Sequence, residues 1–177
     1  MLVSLRFVVG CLFLAIAPIA IGATDSSKVT PARVLADIAL HGPSKVVQKL
    51  YEPGGRWSSV MAKIAEGRDD WLKVAVALRP GTDGGASEEL NETIFLALGA
   101  APEAVLDLLK QRKFATEFVC SSNIAVDYSV DESRRFIEER LKALERVTKP
   151  SLAEIRTQCE QGLRNGLKDL ERVGADQ

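Results

Sequence analysis

The chain reads as an all-α protein: short antiparallel helices in one compact domain, with partial HEAT-like, solenoid character. Three observations predict this. Apolar residues recur at intervals of three and four, no segment sustains the alternation of a half-buried strand, and Gly/Pro turns break the pattern repeatedly between Gly42 and Pro102 and again at Pro150. The length of 177 residues suits one domain. A core of that size can bury roughly 70% of the surface its unfolded chain exposes, so no metal is needed to hold it.

Residues 1–23 are read apart from the fold. Arg6 is followed by an apolar run from Phe7 to Ala23, interrupted by Gly10, Pro18 and Gly22. A basic start, an apolar stretch and the small-residue end Ile21-Gly22-Ala23 predict a signal peptide cleaved after Ala23. The alternative is a retained anchor, but a membrane span needs about 20 apolar residues without a proline break. Val8-Val9-Gly10-Cys11 resembles a lipoprotein box, yet the apolar run continues past the cysteine. Cleavage leaves 154 residues with a net charge of −2, because Arg6 is lost and all 24 acids remain.

Residues 24–29 form a polar leader, and the domain is placed at 30–173 with a tail at 174–177. Thr30 caps the first helix, Pro31 opens it, and Val34, Leu35, Ile38 and Ala39 form its apolar stripe. Gly42-Pro43 stops it and starts a second, with Val46, Val47, Leu50 and Tyr51 inward, closed by Pro53-Gly54-Gly55. Trp57, Val60, Met61, Ile64 and Ala65 mark a third, ended by Gly67. Asp69 is expected to cap a fourth, carrying Trp71, Leu72, Ala75, Val76 and Leu78 up to Arg79-Pro80-Gly81.

Asp83 is expected to cap a fifth helix, with Leu90, Ile94, Ala97 and Leu98 inside and Gly99 as its stop. Pro102 opens a sixth through Val105, Leu106 and Leu109, and a short helical turn follows around Phe114, Phe118, Val119 and Cys120. Ser129 with Glu132 is a capping box for a helix whose inner face is Phe136, Ile137, Leu141, Leu144 and Val147, ended near Pro150. Ser151 with Glu154 predicts a second box, opening a last helix with Leu152, Ile155, Cys159, Leu163, Leu167 and Leu170 on one face. The stretch around Gly42-Pro43 is weakly echoed 59 positions later at Pro102, which suggests stacked helix pairs.

After cleavage two cysteines remain, Cys120 and Cys159. An even pair in an exported chain reads as one disulfide, and no Cys-x-x-Cys spacing suggests redox chemistry instead.

Composition narrows the function. With 23 Lys+Arg against 24 Asp+Glu and 6% aromatics there is no basic stripe or stacking platform for nucleic acid. One histidine, His41, cannot build a His-rich metal cage, and no metal or other cofactor is expected. The most distinctive segment is the turn from Arg79 through Thr82 and Asp83 to Ser87 and Glu88. Its glycines permit close backbone approach, and the following helix start offers free N–H groups, so it is the candidate binding loop. It lacks the Gly-Lys-Ser/Thr of a phosphate loop and the second glycine of a nucleophile elbow. Asp127, Ser129, Asp131 and Glu138 have calcium-loop spacing, but Glu132 stands where that loop needs glycine. Glu138–Lys142, Asp131–Arg135, Arg135–Glu139 and Glu145–Lys149 are candidate i,i+4 ion pairs on a solvated face. Asn91-Glu92-Thr93 matches a glycosylation sequon inside a predicted helix and is set aside.

Trp71-Leu72, the turn Gly81-Thr82-Asp83-Gly84-Gly85-Ala86-Ser87, Ala97-Leu98, Pro102 and Val105-Leu106 resemble a pattern found in a group of bacterial exported all-helical proteins. The resemblance covers roughly residues 69–120 and implies an all-α, repeat-like fold in a periplasmic setting. No activity is assigned to that group, so no functional residues are carried over.

The resulting expectation is a non-catalytic periplasmic or secreted module that binds another protein, as an inhibitor, immunity-type protein or adaptor. Membrane contact is expected only if the N-terminal segment is retained. The alternative is a small cell-envelope hydrolase using one glutamate as general acid, with Glu88, Glu89 or Glu92 as candidates.

Overall fold

A computed structural model describes residues 29–121 and 128–175. The segment 1–23 expected to be a signal peptide, Cys11, most of the expected leader and Asp127 lie outside the described residues. Most of those described are helical, with no strand among them.

The helices are α1 (Pro31–His41), α2 (Pro43–Tyr51), α3 (Trp57–Ala65), α4 (Asp69–Leu78), α5 (Gly84–Ala100), α6 (Pro102–Lys110), α7 (Thr116–Val119), α8 (Val130–Glu145) and α9 (Ala153–Ala175). Short 3-10 turns occupy Arg79–Gly81 and Pro150–Leu152. α1 packs on α2 and α4, α5 touches α3, α6, α7 and α8, and α8 lies along α9. The core follows α5: Leu90, Ile94 and Leu98 are fully buried, with Ile64, Leu106, Ile137, Leu144 and Leu163 around them.

The local start signals behave as their chemistry dictates. Thr30 accepts the Arg33 N–H at 3.3 Å. Gly42, at φ +81°, donates its N–H to Ile38 and accepts from Val46, so one residue ends α1 and begins α2. The Ser129/Glu132 box is complete: Ser129 Oγ accepts the Glu132 N–H and the Glu132 carboxylate accepts the Ser129 N–H. The Ser129 hydroxyl also donates to the Glu132 carboxylate at 2.7 Å, and this bond first, then the Ser129 N–H, holds that carboxyl below its ordinary value.

Several expectations are corrected. Ala39 and Tyr51 are exposed rather than inward. Asp69 lies in the first turn of α4, not at its cap; Asp70 accepts the Trp71 N–H and pairs with Arg68. Gly99 does not stop α5, which runs on to Ala100. The turn falls at Ala101, because a residue before proline is driven out of the helical region. The Ser151/Glu154 box is absent: Pro150 starts the helical winding one residue before Ser151, placing that serine inside the turn.

None of the four expected i,i+4 ion pairs is found among the described residues. Lys149 pairs with Asp107, Glu139 with Arg140, and Arg134 with Glu171. Exposed pairs of this kind differ by only about 0–1 kcal/mol, so tertiary neighbours readily displace them.

Cys120 and Cys159 form a disulfide, with Cα atoms 5.0 Å apart. Both are buried, and the bridge ties the end of α7 to the middle of α9.

Candidate functional site: a cation-lined cleft

The glycine-rich turn folds around Arg79. Its Nη1 donates to Thr82 Oγ1 at 3.1 Å and to Ser87 Oγ, while Thr82 Oγ1 donates back to the Arg79 carbonyl at 2.9 Å. Gly81 sits on the start of α2, where any Cβ would overlap the backbone of Pro43 and Ser44. The structure thus brings Arg79, Thr82 and Ser87 together. Asp83 occupies the cap position of α5 without a side-chain cap bond, and Asp83 and Glu88 are both exposed outside that network. Thr82 and Ser87 serve as acceptors for Arg79, so the turn positions a guanidinium more than it cradles an anion on backbone N–H groups.

That guanidinium lies over the ring of Phe114, 5.9 Å from its centroid. Together they border a cleft of about 710 Å³. Its walls are the end of α6 with the turn after it, the start of α7, and the Pro150 turn running into α9. Buried Leu109 and Phe114 form apolar lining; Lys110, Arg112 and Lys113 supply charge.

The end of α6 has an unusual cap. The Arg112 N–H donates to Leu109 and the Lys113 N–H to Leu108, each at 2.9 Å, which is the Schellman pattern. The residue at its left-handed position is Arg112, at φ +56°, where glycine is the usual occupant. A side chain there costs about 1 kcal/mol or more.

The walls are braced. Lys110 Nζ donates to the Ser151 carbonyl at 2.9 Å, Lys149 pairs with Asp107 at 3.2 Å, and the disulfide joins α7 to α9. Sequence reading found Arg79 and both cysteines but missed Lys110, Arg112 and Lys113. The signal was present: Lys110-Gln111-Arg112-Lys113 is a basic run at a helix end that lacks a glycine stop.

The three candidate glutamates do not converge. Glu88 is exposed. Glu89 accepts from Tyr51 Oη at 2.7 Å and from Trp57 Nε1, and the two rings meet edge-to-face at 5.3 Å. Both of its oxygens are occupied as acceptors in a brace from α5 to α2 and α3. The same hydrogen bond raises the Tyr51 hydroxyl above its ordinary pKa, with smaller help from desolvation and the Glu89 and Glu88 charges. Glu92 faces Tyr128, whose hydroxyl is raised first by burial and then by the Glu92 charge.

A second feature escaped the sequence reading. Arg140 of α8 is 5% exposed. Its guanidinium donates to the carbonyls of Phe95, Leu96 and Phe136 at 3.0–3.3 Å and lies over the Phe95 ring at 4.7 Å. Glu139 is its charge partner at 3.2 Å, and burial lowers its pKa. Position 140 falls on the stripe of Ile137, Leu141 and Leu144, which is the signal that could have found it. Arg140 ties α8 to the C-terminal half of α5, the negative end of that helix.

Asn91 and Thr93 of the sequon are buried. His41 is exposed at the end of α1. Among the described residues no three His, Cys, Asp or Glu side chains are placed to hold a metal ion, and no helix is long and apolar enough to cross a membrane.

Comparison with protein families, with curated proteins and with solved structures gave no match. The described residues define the class by fold and cleft: an all-α protein with a Cys120–Cys159 disulfide and a braced, cation-lined cleft.

Proposed function

We propose that this chain is an exported, non-catalytic protein-binding module of the bacterial periplasm, and that it engages its partner through the cleft bordered by Arg79, Arg112 and Phe114. The observation that carries this reading is the bracing of the cleft walls by the disulfide and by Lys110. A preformed surface loses little conformational freedom on association, which is how a rigid module gains affinity. Arginine and aromatic side chains dominate binding energy in protein interfaces, and this cleft offers Arg79 and Arg112, with exposed Phe118 on the adjoining helix α7. The apolar N-terminal run supports export, and a disulfide fits an oxidising compartment.

Site-specific photo-crosslinking tests the reading. A benzophenone side chain at Phe118, 52% exposed, is compared with one at Leu40, 76% exposed on α1. A discrete protein adduct at position 118, absent at position 40, is expected in the cells that make the protein. Equal adducts at both positions, or none at 118, would contradict the proposed surface.

A further inference from the structure

Resting on that binding-module reading, we infer that the cleft takes an acidic peptide segment of its partner, with carboxylates seated against the Arg112–Lys113 corner.

Charge comes first. The whole chain is slightly acidic, with 24 Asp+Glu against 23 Lys+Arg, yet Arg79, Lys110, Arg112 and Lys113 gather on this one cleft. Two carboxylates, Glu117 and Glu154, are also in the lining, so cations prevail four to two. The side chains of Arg112 and Lys113 make no ion pair or hydrogen bond among the described residues. Among the described residues neither has a carboxylate partner that a ligand must displace.

Conformation gives a second, independent observation. The left-handed cap position is one where glycine would relieve strain, and the chain keeps arginine there. Strain retained where glycine would remove it points from the backbone to a role for the side chain. Arg112 also presents the planar fork that pairs with a carboxylate through two hydrogen bonds.

Size and shape select a peptide over a small ion. A volume near 710 Å³ is that of a site for a drug-sized or peptide ligand. The half-buried Ile155 in the lining gives apolar surface beside the cations, which suits a segment carrying apolar as well as acidic residues. Arg79 is held in place by Thr82, Ser87 and Phe114, so its orientation is set before binding.

Fluorescence anisotropy of the full chain with a fluorescein-labelled hexaglutamate peptide tests this. Binding is expected at low salt, weakening as salt screens it, with a hexalysine peptide not bound. Arg112→Gly is expected to weaken binding at least tenfold while its melting temperature stays equal to or above that of the parent. Lys113→Gln is expected to weaken binding severalfold, whereas Lys45→Gln with Lys49→Gln on α2 leaves it unchanged. Unchanged affinity in Arg112→Gly, or equal loss in the α2 variant, overturns the assignment to this corner. Displacement by inorganic phosphate, where chloride of the same ionic strength fails, overturns the peptide class in favour of a phosphate site. No binding of hexaglutamate while the Phe118 adduct persists overturns the acidic class and leaves the binding-module reading standing; loss of both removes that reading too.

Discussion

Gly162 lies against the carbonyl of Cys120 so closely that a Cβ on residue 162 would overlap its oxygen. Cys159, three residues earlier on α9, forms the disulfide to the same Cys120. The spacing of three places both on one helix face, so close backbone approach and covalent bond belong to a single contact. Gly162→Ala gains up to about 1 kcal/mol of helix propensity. The obstacle is backbone, which cannot rotate away, and overpacking of this kind costs about 1–3 kcal/mol or more. The expected outcome in urea unfolding is a net loss of about 2 kcal/mol; a more stable variant would show that α9 can shift away from Cys120.

The disulfide closes a loop between positions 39 apart. Chain-entropy arithmetic gives such a loop about 4 kcal/mol as an upper figure. Cys120→Ser with Cys159→Ser should lower stability by about 2–4 kcal/mol in denaturant unfolding while retaining the helical circular dichroism signal. Because the bridge joins two walls of the cleft, this variant should also bind the hexaglutamate probe more weakly than the parent.

Arg140 combines three carbonyl acceptors with the Phe95 ring in a buried site. Lysine cannot reproduce the planar fork and brings an ammonium that is harder to desolvate. Arg140→Lys should therefore destabilise by about 2 kcal/mol, roughly the worth of charge-assisted hydrogen bonds lost in a dry site. Thermal unfolding reads this directly, and a lysine variant as stable as the parent would refute the role given to the fork.

What was legible in the sequence is what local chemistry decides. Thr30-Pro31, Gly42-Pro43 and Ser129 with Glu132 each satisfy orphan helix-end groups within a few residues, so their boundaries were readable. Ser151 fails because Pro150 competes for the same start, and Gly99 because Pro102 sets the break at Ala101 instead. The candidate site was half legible. Arg79 stands in a conspicuous turn, but Arg112 reaches the cleft through a left-handed cap that no glycine announces. Tyr51 looked like core from its spacing and is drawn outward by Glu89, 38 residues away.

Tyr51 offers a titration test. Its hydrogen bond to Glu89 stabilises the protonated phenol, and its pKa is raised. The folded hydroxyl holds its proton to higher pH than the unfolded one, whose pKa is about 10. The bond therefore supports the fold below pH 10, and that support fades as pH rises through the raised folded value. Glu89→Gln removes the carboxylate, so phenolate absorbance should develop at lower pH than in the parent. Identical titration curves would separate Tyr51 from Glu89.

The most direct test of the whole account is peptide-level thiol labelling of the folded protein without reductant, read by mass spectrometry. A cleft whose walls are locked together predicts that neither Cys120 nor Cys159 takes label, that a linked peptide carries both, and that both label after reduction and unfolding. Label on both cysteines in the unreduced protein would contradict it.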